Sequence, residues 1–189
     1  MGITARLMTN DVPRLETERL VLRAFTLGDA PRVQLLAGDR QIAATTALIP
    51  HPYPKGEAER WISTHTQSFE DGRGATCAVV RREEGLLVGA VALEFHSKHQ
   101  RAEVGYWIGR EYWGNGYATE ALKAMIAYGF SRGVNRIWAE CFATNPASGR
   151  VMQKAGMRHE GTLRQHMVKW GVSVDCEVYG ILSSEWHGN

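Results

Sequence analysis

No apolar run in this sequence is long enough to cross a bilayer, and its opening stretch, MGITARLMTN, lacks the apolar centre of a secretion signal. Gly2 does not make a myristoylation site, because Arg6 stands where the motif needs Ser or Thr. A cytoplasmic protein without a membrane partner is expected. Cysteine is scarce: Cys77, Cys141 and Cys176 are far apart, odd in number, and form neither a metal-binding nor a redox pair, so they read as core thiols in a reducing compartment. HSKH brings His96 and His99 close together, yet no second pair of ligands follows at usable spacing, and no metal is expected. Charge of one sign is missing too. The 22 Lys and Arg against 20 Asp and Glu leave a net charge of +2, which gives no reason to expect direct nucleic-acid binding. Internal repeats, low-complexity tracts and Pro- or Ser-rich linkers are all lacking.

What is present suits one domain: 189 residues can bury one full hydrophobic core but are too few for two comfortable ones. A single domain over residues 1–189 is expected, with 1–13 as a loose arm. ERLVLRAF alternates as a half-buried strand does, with Leu20, Leu22 and Ala24 on one face. TLGDAPRVQLLAGD reads as a short helix, and PKGEAERWISTHTQSFEDG as a longer one with Ala58, Trp61, Ile62, His65 and Phe69 along one stripe. Between them, the three prolines of ALIPHPYP rule out regular structure and suggest a semi-rigid loop. TCAVVRR and LLVGAVALEFH, separated by EEG, form a hairpin, and AEVGYWIG adds a third antiparallel strand.

Next comes REYWGNGYATEALKAMIAYGF. Ala118, Ala121, Leu122, Met125, Gly129 and Phe130 recur at helical intervals, and Gly133 suits the C-terminal cap. RIWAECFA is then a strand, and NPASGRVMQKAG a second capped helix with Asn145 as N-cap, Pro146 first and Gly156 last. MRHEGTLRQHMVKWG and VSVDCEVYGILSSEW complete the chain as strand segments, and Trp61, Trp107 and Trp138 read as core residues.

Two glycines directly ahead of a helix raise a chemical question. A helix start leaves four backbone N–H groups unpaired and carries about half a positive charge, so phosphate is a natural partner. Gly114 and Gly116 lack side chains that would hold a diphosphate away, and Ala118 keeps the clearance. GNGYAT lacks the Lys of a P-loop. A dinucleotide fingerprint is also a poor fit, since the turn follows an antiparallel meander and Thr119 replaces the third glycine.

WGNGYA resembles the pyrophosphate-binding signature of the GNAT acetyltransferases, Gln/Arg-x-x-Gly-x-Gly/Ala, departing from it at Trp113. The succession ETERLVLR, AEVGYWIG, YWGNGYATEAL and NPASGRVMQKAGM is similar to the branch containing the RimJ- and RimL-type ribosomal-protein N-terminal acetyltransferases, from about Arg14 nearly to the C-terminus. The resemblance implies an α/β (α+β) fold: a mixed, mostly antiparallel, twisted sheet with flanking helices, splayed between AEVGYWIG and RIWAECFA. It implies direct transfer of acetyl from acetyl-CoA to a primary amine, most of all a protein or peptide N-terminal α-amine such as a ribosomal protein's, by a monomer or homodimer.

An amine must lose its proton before attacking, and an α-amine with pKa near 8 needs less help than a lysine at about 10.4. The resemblance makes Glu103 the base, with His166 or water as alternatives. Backbone N–H groups of Trp107, Ile108 and Gly109 are expected to steady the thioester carbonyl. The turn from Trp113 through Gly114, Asn115, Gly116, Tyr117, Ala118 and Thr119 would hold the diphosphate. Asn145 and Ser148 would meet the pantetheine arm, with Ser148 protonating the departing thiolate and Tyr106 and Tyr179 as competing hydroxyls. Asn145 and Ser148 also read as ordinary helix-start residues. Arg110, Lys123, Arg150 and Lys154 could reach CoA phosphates, while His51 and Tyr53 would border the acceptor site. FEDG and REEG are the only acidic clusters, and neither is expected near the acceptor. The alternatives are a small-molecule acceptor (a polyamine, an amino acid or an aminoglycoside) and a catalytically silent acyl-CoA sensor.

Overall fold

The computed structural model describes residues 12–188, so the expected arm lies outside the described residues except for Val12 and Pro13. A short first strand β1 (Leu15–Glu16) turns into β2 (Leu20–Arg23), and the early helices follow as α1 (Ala30–Ala37), α2 (Arg40–Thr45), α3 (Glu57–Ser63) and α4 (His65–Glu70). The meander is β3 (Gly74–Arg81), β4 (Leu86–His96) and β5 (Arg101–Ile108). Then come α5 (Tyr117–Ser131), β6 (Arg136–Phe142), α6 (Pro146–Lys154), β7 (Arg158–Lys169) and β8 (Val172–Leu182). Together the strands form one eight-stranded sheet in the order β1-β2-β3-β4-β5-β6-β8-β7.

Every pairing is antiparallel except β5 with β6. That parallel contact covers only Arg101 to Glu103 against Arg136 to Trp138, after which the strands part. The expected splay is therefore present, and it begins at Glu103. Gly109 N–H donates to the Val88 carbonyl at 2.8 Å. Antiparallel alternation then turns the amides of Gly105 and Trp107 toward β4, leaving those of Val104, Tyr106 and Ile108 facing the gap.

Two cores cover the two sheet faces. On one, α5 sets Leu122, Met125 and Ile126 against Leu93, Val104, Ile108 and Ile137. Gly129 permits this close approach, since a Cβ there would lie 2.8 Å from Ile137 Cδ1. On the other, Val33 and Leu36 of α1 and Ala58 and Ile62 of α3 pack on Ala78, Val80 and Leu87.

Four details depart from expectation. The long helix breaks at Thr64 into α3 and α4, and α2 forms in the stretch between the expected first helix and the proline loop, for which no element had been expected, capped by Asp39, whose carboxylate accepts from Gln41 N–H. Ala24 is exposed. Trp61, Trp107 and Trp138 are only half-buried: the first two line a cavity and Trp138 lies under the Arg101 guanidinium at 4.9 Å on the sheet surface.

His65 is 7% exposed, sits edge-on to Trp61 at 4.4 Å, and neither ring nitrogen has a hydrogen-bond partner among the described residues. Burial pushes its pKa down from 6.5 to about 4. Between those values the unfolded chain binds a proton that the folded chain refuses, so stability falls as pH drops from about 6.5 through about 4. His65→Leu is expected to remove much of that acid sensitivity, which thermal melts at pH 5 and pH 7.5 would measure; an unchanged difference in Tm would contradict it.

Candidate active site

The turn between β5 and α5 is built from its own polar atoms. Trp113 Nε1 donates to the Ile108 carbonyl at 2.6 Å, and the Asn115 amide donates to the carbonyls of Tyr112 and Trp113 at 3.1 and 3.2 Å. Gly114 and Gly116 take φ of +80° and +81°, a left-handed conformation open to glycine. The glycines thus relieve a tight turn and also clear space over it. Glu120 N–H returns to the Gly116 carbonyl at 3.1 Å, so Tyr117, Ala118 and Thr119 precede the first intrahelical bond and point free N–H groups outward.

A cleft of about 370 Å³ lies over these amides. Ile108, Trp113, Gly114 and Gly116 through Thr119 line one side, and Asn145, Ser148, Arg150 and Lys154 the other. Three expected residues do not face it. Gly109 packs against Leu36 with its N–H committed to β4, Asn115 spends its side chain bracing the turn, and Arg110 lies 3.9 Å from Asp39. Lys123 is not on the cleft wall either. Of the three expected thioester-binding amides, only Ile108's faces the gap, because the alternation of the ladder commits its two neighbours to β4.

A clasp that the sequence reading missed holds this turn from behind. Glu120 accepts from Thr17 Oγ1 at 2.6 Å, from Arg19 N–H at 2.8 Å and from Arg19 Nε at 2.8 Å, while Arg19 also donates to the Asn115 carbonyl at 2.9 Å. Burial alone would raise the Glu120 pKa, but these donors outweigh it and the net shift is downward. The ETERL segment is thereby joined to α5 across a hundred residues, a pairing no local pattern reveals.

A second cavity, of about 270 Å³, opens on the side of the early helices. Its wall includes Ala47, Leu48 and Ile49, the aromatic rings of Trp61, Trp107 and Phe142, and Glu103, Gly105, Glu140 and Met167. The two cavities share Thr45, Thr46, Tyr106, Trp107 and Ser148, so they meet where β5 leaves β6. Lys169 Nζ fixes the loop above, donating to the carbonyls of Thr46, Ala47 and Ile49 at 2.8, 3.4 and 3.2 Å. The proline-rich segment therefore borders the cavity through residues 47–49. His51 is exposed, and Tyr53 packs toward the second core with its carbonyl accepting from Gln34; neither lines the cavity.

Glu103 is half-buried in this wall, and its pKa is raised, first by burial and then by the like charges of Glu140 and Glu94. Glu94 is its cross-strand partner on β4. Glu140 was not anticipated: β6 brings it to Glu103 from thirty-seven positions away, and together they make the cavity acidic although FEDG and REEG lie elsewhere. His166 stands behind Glu140, its Nε2 3.6 Å from Oε2. On the other face of β5, Tyr106 Oη lies 2.8 Å from Ser148 Oγ, and Ser148 N–H donates to Asn145 Oδ1 at 3.3 Å. Tyr179 is buried under α6 against Gly149 and lines neither cavity. Cys141 does line the second cavity, but burial pushes its pKa up to about 11, which keeps it a thiol and a poor nucleophile.

Among the described residues, no helix is long and apolar enough to cross a membrane, and no group of three or more His, Cys, Asp or Glu could hold a metal ion. The acetyltransferase (GNAT) domain family matches residues 19–158, most of the chain. The uncharacterized N-acetyltransferase YoaA of Bacillus subtilis (strain 168) is 36% identical over 174 residues, covering 90% of this chain and 97% of the relative. The ribosomal-protein-serine acetyltransferase of Escherichia coli (strain K12) is 32% identical over 85 residues, 44% of this chain and 48% of that protein. Among solved structures, a GNAT-family acetyltransferase from Bacillus anthracis superposes with a TM-score of 0.80 at 26% identity, covering 89% of this chain and 98% of the other. With the family matched over most of its length and the same sheet found in a relative, the chain belongs to the GNAT family and is an acetyl-CoA-dependent N-acetyltransferase.

Proposed function

We propose that this chain, acting as a single domain, carries acetyl from acetyl-CoA to a protein or peptide N-terminal α-amine by direct attack within a ternary complex. The observation that carries the reading is the meeting of two cavities at Tyr106, Trp107 and Ser148. One is floored by free helix amides and the other walled by carboxylates, which suits an anionic donor and a cationic acceptor approaching from opposite faces of a split sheet. The ribosomal-protein relative supports the choice of acceptor.

In this reading the diphosphate sits on the N–H groups of Tyr117, Ala118 and Thr119, with Lys154 and Arg150 across the cleft. The pantetheine arm takes the place of the missing β6 pairing along β5, beside Asn145. Ile108 N–H donates to the thioester oxygen as charge builds there. Glu103 removes the proton of the entering ammonium, which frees the nitrogen lone pair to attack the thioester carbon. The adduct still carries a second proton on its nitrogen; as the carbon–sulfur bond breaks, that proton passes by way of the hydrogen-bonded hydroxyls of Ser148 and Tyr106 to the departing thiolate, so both hydroxyls end the step protonated. Burial raises the Tyr106 pKa, so the phenol stays protonated and serves as a relay and hydrogen-bond donor to the sulfur, not as a net proton source.

A second reading, transfer to a small polycationic amine, is favoured by Glu103 and Glu140 sharing one cavity. Thiol release from acetyl-CoA, followed over a panel of α-amine peptides and small amines, separates the two. Turnover of peptides supports the first reading, release with small amines alone supports the second, and no release with any acceptor despite donor binding supports an acyl-CoA sensor. Gly105→Val locates the acceptor independently. A Cβ at Gly105 meets nothing within 4 Å, so the fold accommodates it while the added methyls fill the cavity. Acceptor kcat/KM is expected to fall by about tenfold or more with CoA affinity unchanged; an unchanged kcat/KM would remove the acceptor from this cavity.

A further inference from the structure

Glu103 takes up one proton per turnover and must lose it before the next acceptor can be deprotonated. It is half-buried beside Trp138, its partner across the β5–β6 contact. Glu140 stands two residues beyond Trp138 on the same face of β6 and lines the same cavity. Its side chain is 17% exposed, whereas that of His166, 3.6 Å away, is 45% exposed. The three groups therefore run from the cavity wall to solvent.

His166 owes its position to an irregularity. The β7–β8 register breaks between Leu163 and Met167, where Gln165 takes φ of +51° and gives its N–H to Asp175 Oδ1 at 2.7 Å. The break swings His166 toward Glu140 while Met167 lines the cavity. No Lys or Arg ion-pairs with Glu94, Glu103 or Glu140 among the described residues. The titratable and charged groups facing this patch are Glu94 and His96 from β4, Glu103 and Arg101 from β5, Glu140 and Cys141 from β6, His166 from β7, and Asp175 and Cys176 from β8, with Arg101 stacked over the Trp138 ring at 4.9 Å.

We propose that Glu140 and His166 are the exit route by which the proton taken from the acceptor amine leaves Glu103 for bulk solvent. The step balances simply: Glu103 gives its proton to Glu140, directly or through solvent in the open cavity, Glu140 passes it to the imidazole, and the imidazole releases it to water. Imidazole is the side chain suited to such exchange near neutral pH. Neither group touches the reacting atoms, so both are positioning residues for the proton and not catalytic ones. The route rests on Glu103 as the base in the reading above.

The test uses the full chain with saturating acetyl-CoA and the amine that the panel identifies as best acceptor. His166→Ala is expected to lower steady-state kcat on the order of tenfold, with acceptor KM and CoA affinity unchanged. Added imidazole is expected to restore kcat in a concentration-dependent way, and the first turnover with enzyme in excess to keep its wild-type rate. Glu140→Gln is expected to lower kcat without imidazole rescue and to move the acid limb of kcat/KM to lower pH, because a like charge beside Glu103 has been removed. Wild-type kcat in His166→Ala, or a loss that imidazole does not repair, would overturn the exit route while leaving Glu103 as base. Glu103→Gln with full activity would instead overturn the base assignment, and no acceptor turned over by the wild type would overturn the function itself; either takes the exit route with it.

Discussion

Glu103→Gln is expected to lower kcat by about 10²–10⁴-fold while leaving CoA affinity unchanged, the range that a positioned general base supplies. Gln keeps the shape and hydrogen-bonding reach of Glu but cannot accept the ammonium proton. Burial and the carboxylates of Glu140 and Glu94 raise the Glu103 pKa, so the wild-type acid limb should lie above the ordinary carboxylate range. Activity falls as pH drops through that raised value, because only the ionised form can act as a base. The same shift makes a second, opposite prediction for stability. A carboxyl whose folded pKa is raised loses stability as pH climbs from its unfolded value through the folded one, since the folded state must then ionise a half-buried group. The Gln variant should therefore melt higher than wild type at pH 8 and equally at pH 4. Thiol-release kinetics, CoA titration and melts at the two pH values check all three results; wild-type kcat in the variant would remove Glu103 from the mechanism.

Gly116→Val should abolish tight CoA binding. The residue sits at φ +81°, caps α5, and a Cβ there would approach Arg19 Nη2 at 3.3 Å. A branched side chain there pushes on the Arg19–Glu120 clasp behind the turn and, with the lost left-handed cap, moves the amides of Tyr117 and Ala118 out of line with a phosphate. Losing one or two charge-assisted hydrogen bonds to phosphate, at about 1.5–3 kcal/mol each, weakens binding by about 10²-fold or more. Backbone strain of about 1–3 kcal/mol accompanies the change and lowers Tm by several degrees. Gly133→Val separates the two effects. Gly133 has φ +82° at the far end of the same helix, with nothing within 4 Å of a Cβ. It should lose a similar amount of Tm and keep wild-type CoA affinity by equilibrium titration. Equal affinity in Gly116→Val and wild type would show that the diphosphate does not rest on this turn.

The donor half of the candidate site was legible because its elements are local. A glycine turn, a helix start and an N-cap are each specified within a few residues, so Gly114, Gly116 and Asn145 could be placed from spacing alone. Gly109 and Asn115 lie in the same stretch yet face away: the Gly109 amide serves the edge that register with β4 assigns it, and the Asn115 side chain is spent on the carbonyls of Tyr112 and Trp113. The acceptor half was legible only in part. Glu103 was found through resemblance, but Glu140, the Lys169 strap and the Thr17–Arg19–Glu120 clasp each join segments remote in sequence, and no periodicity records such a meeting. His51 and Tyr53 were drawn in by their loop, and that loop reaches the cavity through apolar residues 47–49 instead.

Sequence by itself determined the antiparallel meander, the order of β2 to β8 with α5 and α6 between them, and a helix start bare enough for a phosphate, because hydrophobic period, caps and glycine conformation act over single turns. Tertiary structure alone decided that β5 and β6 part after three residues, that two cavities meet there, and that Glu140 and His166 stand behind Glu103. These are consequences of strand register and packing between distant segments, which burial of both sheet faces fixes only when the whole chain is folded.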